Sequence, residues 1–121
     1  MIKYWMLMED HTTRVTTNVV EWAQWFEKAD RVVAQVEQDG FFISTVFIGI
    51  NHNWGEGPPH IFETMVFYGP GADTETIDML RASTWDDAVA QHNAMVRKHL
   101  TARQSIVKEQ PKEKTKSEKG K

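Results

Sequence analysis

Apolar and polar positions alternate along the chain in a way that predicts a strand, a helix, four more strands and a last helix. In IKYWMLME, Ile2, Tyr4, Met6 and Met8 alternate with Trp5 and Leu7, as in a strand. HTTRVTT then reads as a polar connector. Asn18 followed by Glu21 forms a capping-box signature, and Val19, Trp22, Ala23 and Phe26 recur at helical spacing, so a short amphipathic helix is expected over about residues 19 to 29. RVVAQVEQ and FFISTVFIGI flank Asp39-Gly40, a dipeptide suited to a type I′ hairpin turn. The second arm is apolar on both sides, with Phe41, Ile43 and Phe47 on one and Phe42, Val46, Ile48 and Ile50 on the other, as in a central strand covered on both faces. HIFETMVFY is similar, YGPGADTET is a turn-rich loop, and IDMLRAS suits an edge strand. Thr84 with Asp87 marks another helix start. Trp85, Ala88, Val89, His92, Met95, Val96 and Leu100 give the last helix, about 85 to 101, its apolar stripe. Arg97 and Lys98 in its final turns favour the helix dipole.

The order β-α-β-β-β-β-α implies an α+β fold: an antiparallel sheet of about five strands with two helices packed on one face. Two helices cover one side of such a sheet. The other side then needs the C-terminal segment, a further sheet or a second subunit, and a homodimer formed through the sheet is the economical solution. A chain of 121 residues suits one domain, here residues 1–101. The stretch from 102 to 121 has almost no apolar residue after Val107 and reads as a disordered, Lys-rich tail.

Charge sharpens this division. Seven basic residues against three acids after position 102 give the tail +4, which leaves the body at −7. An acidic body is unsuited to phosphate backbones and better suited to a partner protein with a basic surface; nucleic acid is expected to be held only weakly, through the tail. The absence of cysteine excludes disulfides, thiolate nucleophiles and cysteine zinc sites, and suits a reducing compartment. The start is too short in apolar residues for a signal-peptide core, and FFISTVFIGI is too short to span a bilayer, so a cytoplasmic protein without a membrane segment is expected.

Candidate chemistry gathers between residues 49 and 67, GINHNWGEGPPHIFETMVF. His52, His60 and Glu63 are metal-ligand types, but in a regular strand His60 and Glu63 point to opposite faces, and no HExxH or facial-triad spacing occurs, so no metal site is assigned. Glu63 in an apolar run needs a partner, and His92 on the stripe of the last helix is the candidate. The pair reads either as a buried polar contact fixing helix to sheet, or as an acid/base dyad joined by His52 from the loop. A histidine so paired should show a raised pKa. The loop itself holds Asn51, Asn53, Trp54 and Glu56; Gly55 and Gly57 allow positive φ and Pro58-Pro59 stiffens the exit, so it reads as a hairpin connection or as a recognition loop anchored by Trp54. GEG lacks the following Lys and helix of a phosphate loop, and no cofactor is implied.

The run STVFIGINHN…GEGPP…FETMVF, with the later STWDDAVAQHNAMV, resembles a family of small bacteriophage and prophage proteins of uncharacterised activity. The resemblance covers roughly residues 14 to 97. It implies a phage or prophage origin and action in the cytoplasm of an infected bacterium, with no mechanism attached. The family's pattern often has an acid where this chain has Asn51, and Gly where it has Gln91. The reading that follows is a non-enzymatic phage accessory protein that binds a host or phage protein and modulates or inhibits it. Its alternatives are a small enzyme or ligand-binding domain using Glu63, His92 and His52, and a structural virion component.

Overall fold

The computed structural model describes residues 2–53, 55–71 and 74–101, and shows an α+β fold with two antiparallel sheets and two helices. The chain order is β1 (Tyr4–Leu7), β2 (Thr13–Thr16), α1 (Val19–Lys28), β3 (Val32–Gln38), β4 (Phe41–Phe47), β5 (Phe62–Tyr68), β6 (Glu75–Ala82) and α2 (Trp85–Val96), whose last turn widens to π-helical pitch over Arg97–Thr101. The Lys-rich tail and Trp54 lie outside the described residues.

The main sheet has four strands in sequential order, β3-β4-β5-β6, instead of the expected five. The first strand does not join it. HTTRVTT, expected as a connector, is itself a strand, and it pairs with β1 from Tyr4↔Thr16 to Leu7↔Thr13 in a separate two-stranded sheet. Its side chains are mostly exposed, so no apolar alternation marks it. Its strand character comes from β-branched Thr and Val. Side-chain bonds also hold it against α1: Arg14 pairs with Glu21 at 2.7 Å, and the Thr16 hydroxyl donates to Glu21 at 2.8 Å. Glu21 is therefore not the reciprocal half of a capping box. Asn18 alone caps α1, accepting from the amides of Val20 and Glu21, both at 3.1 Å.

The Asp39-Gly40 hairpin forms as the sequence requires, with φ of 56° and 85° at the two central residues and Gln38 opposite Phe41. α2 packs across all four strands of the main sheet. Beneath it Phe41, Ile43, Phe47, Phe62 and Val66 are almost wholly buried, joined by Met95 and Leu100 from the helix. Burying an aromatic or branched side chain is worth about 1.5–3 kcal/mol, so this layer supplies most of the stability. α1 and β1 close the end of the same layer, where Trp5, Leu7 and Trp25 pack against Phe47, Ile61 and Phe62. Gly49 makes that junction possible. Its φ is +73°, its carbonyl accepts from the Trp5 amide at 2.9 Å, and a Cβ there would lie 3.0 Å from both the Trp22 indole nitrogen and the Trp5 carbonyl. Among the described residues no helix is long and apolar enough to cross a membrane.

Candidate functional site

Glu63, His92 and His52 are not brought together. Strand alternation places Glu63 opposite Val46 on the face of the sheet away from α2, where its carboxylate pairs with Arg81 of β6 at 3.1 Å. It is partly exposed, with 16% of its side chain accessible. His92 lies under α2 on the other face, 5% exposed, and its Nδ1 is 2.8 Å from the Thr45 hydroxyl. His52 lies in the loop beyond β4, tied through its backbone amide to the His60 carbonyl at 3.1 Å. The expected Glu63–His92 pair is corrected to two separate arrangements. The cause is the period of two: Thr64, and not Glu63, is the residue of β5 that faces the helix.

The polar groups under α2 form a continuous string. Thr45 and Thr64 hydroxyls lie 2.7 Å apart, and the Gln91 amide donates to Thr64 at 3.0 Å and to the Leu80 carbonyl at 3.3 Å. Both threonines are fully buried. Burial pushes the His92 pKa below its ordinary value of 6.5, the reverse of the rise expected beside a carboxylate, because desolvation disfavours the imidazolium and no anion lies opposite. With His92 neutral and Nδ1 accepting, the hydrogens of the string run one way: Gln91 donates to Thr64, Thr64 to Thr45, and Thr45 to His92. This string satisfies buried polar atoms and fixes α2 on the sheet. Glu63 takes no part in it, and the string's hydroxyls are closed off from solvent.

The loop after β4 is organised from within. The Asn51 carboxamide oxygen accepts from the amides of Asn53 at 2.7 Å and His60 at 2.9 Å. Asn53 accepts from Gly55 at 3.0 Å and donates to the carbonyl of Pro58 at 3.0 Å. Two of the candidate binding residues, Asn51 and Asn53, thus hold the loop's shape. Glu56 is exposed, and Trp54 falls outside the described residues. Among the described residues no group of three or more His, Asp or Glu side chains is placed to hold a metal ion.

The feature that sequence reasoning had located only in outline is the far face of the main sheet. Phe42 and Val46 of β4 sit opposite Phe67 and Glu63 of β5, and Met65 opposite Met79 of β6. The Phe42 and Phe67 rings stack at 6.0 Å. Phe42, Val46, Met65 and Phe67 are only half-buried, Met79 is 40% exposed and Val32 at the edge is 43% exposed. No described helix or strand lies over them: α2 is on the opposite side, and α1 reaches the sheet there too, through Trp25 against Phe47. The signal in the sequence was the doubly apolar character of β4.

Compared with known proteins, the chain matches no family model, no curated protein and no solved structure.

Proposed function

We propose that the protein acts by binding, as a non-enzymatic accessory protein, and that it works as a homodimer joined through the open face of the main sheet. The observation that carries this reading is the uncovered apolar patch of Phe42, Val46, Met65, Phe67 and Met79. Contiguous apolar surface of this kind marks an interaction site. A second copy is the occupant that suits it. The face holds Glu63 and Arg81 side by side, so a two-fold arrangement offers each charge an opposite one on the other copy. A purely basic partner would meet Arg81, and a purely acidic one Glu63.

The residue-level resemblance adds a setting: a phage-encoded protein acting in the cytoplasm of an infected bacterium, where it binds a host or phage protein with a basic surface and modulates or inhibits it. The acidic body supports that choice of partner. The test is the mass of the purified protein across concentration, by light scattering. Twice 14.0 kDa is expected. A monomer at every concentration overturns the dimer, and a larger closed or open assembly would favour a structural virion component.

A further inference from the structure

A second surface, on the α2 side of the molecule, has a different chemistry. The turn between β1 and β2 brings His11 onto Trp85 at the start of α2, with the rings parallel within 9° and 3.6 Å apart. His11 takes a left-handed backbone conformation to do so, with φ of 70°. Beside this stack is an open recess of about 390 Å³ whose lining residues include both members of the stack, Trp25 and Leu7, and the acidic residues Glu9 and Asp30. Neither Lys nor Arg is among its lining residues. Asp30 accepts from the Val32 amide at 3.1 Å, whereas the Glu9 carboxylate has no hydrogen-bond or ion-pair partner among the described residues. Across the stack lies a neighbouring concavity with two more carboxylates, Asp10 and Asp86, again with no Lys or Arg.

We propose that the recess between Trp25 and the His11–Trp85 stack receives a basic side chain of a protein partner, arginine before lysine. It rests on the reading that the chain acts by binding a partner with a basic surface, and it names where that surface is gripped. Aromatic walls attract a cation through their electron-rich faces, and a carboxylate at the same recess supplies the opposite charge. A guanidinium satisfies both at once, because its plane stacks on a ring while its N–H groups bond the carboxylate along the edge; an ammonium group offers only a point charge. With neither Lys nor Arg in the lining, no permanent positive charge cancels the attraction of the acidic residues. The dimer-forming face of the sheet, with its own balanced ion pair, is a separate surface.

The test uses the full chain labelled with ¹⁵N and three blocked tripeptides, Ala-Arg-Ala, Ala-Lys-Ala and Ala-citrulline-Ala, at neutral pH and low salt. Citrulline has the shape of arginine without its charge. The indole N–H signals of Trp25 and Trp85 are expected to shift with the arginine peptide, less with lysine and least with citrulline. Glu9→Gln, at an exposed turn position where the fold does not depend on the charge, is expected to weaken arginine binding by about five-fold. Glu75→Gln, which removes the same charge at the exposed start of β6, away from both the recess and the open face, is expected to leave it unchanged. Equal responses to arginine and citrulline, shifts confined to other tryptophans, or equal effects of the two Glu→Gln changes would each overturn the proposal. None of these results depends on the mass of the assembly, so failure here is distinguishable from failure of the dimer. Loss of the dimer, conversely, leaves the tryptophan shifts to be read as they stand.

Discussion

The two faces of the main sheet are built by the same strands, one residue apart, and they have opposite characters. On the α2 side, Phe41, Ile43, Phe47, Phe62 and Val66 are closed off from water, and the polar atoms among them are joined in one string from Gln91 to His92. On the other side, Phe42, Val46, Met65 and Phe67 remain half-buried, and the charges among them, Glu63 and Arg81, pair at the surface. The difference teaches that apolar content alone does not define a core. Under the middle of α2 the polar groups, Thr45, Thr64, Gln91 and His92, are uncharged and bonded to one another, and the charges on that side, Asp78 with Lys98 and His99, stand at the β6 edge; the open face keeps Glu63 and Arg81 among its apolar side chains.

The largest contrast should appear between two phenylalanines of one strand. Phe62→Ala on the closed face is expected to cost about 3–5 kcal/mol of folding stability, whereas Phe67→Ala on the open face should cost less than about 2 kcal/mol in the monomer. Urea unfolding of both variants at low protein concentration checks this, and equal losses would break the distinction between the faces. Adjacent residues of β4 give the next contrast. Thr45→Val keeps the shape but leaves Thr64 and His92 short of a partner, for a loss of about 1–3 kcal/mol. Ser44→Val, which removes only the exposed bond from Gln35, should stay within about 0.5 kcal/mol.

The closed face should also respond to pH through His92. Its folded-state pKa lies below the unfolded value near 6.5, so the unfolded chain binds the extra proton first. Stability is therefore full above pH 6.5 and falls as pH drops from there through the folded pKa. His92→Gln should flatten that slope in denaturation measured between pH 7 and 5, and an imidazole titration should find the His92 midpoint below 6.5. A midpoint above it would contradict the neutral string. The smallest effect is expected at the surface pair: Glu63→Gln should change stability by about 0.2–1 kcal/mol, as partly exposed ion pairs do.

Much of this architecture was legible from periodicity. Both helices, the Asp39-Gly40 hairpin and the doubly apolar β4 follow from spacings of 3.6 and 2 and from turn chemistry. The β2 strand was not, because Thr13, Arg14 and Thr16 have no apolar alternation and owe their place to pairing with β1 and to Glu21. The Glu63–His92 pair failed for a related reason. An acid inside an apolar run looks buried from the sequence, but which face of a strand a helix covers depends on tertiary packing. His11 on Trp85 was invisible, since the contact joins residues 11 and 85 through a left-handed turn that no local motif announces.

The most direct test of the account is sedimentation velocity of Phe67→Lys beside the wild type, with thermal unfolding of both. The open-face account predicts a wild-type dimer and a folded monomeric variant, because a lysine in place of Phe67 puts a charge into the apolar patch of both copies. A variant that remains dimeric, or a wild type that is monomeric throughout, would contradict it.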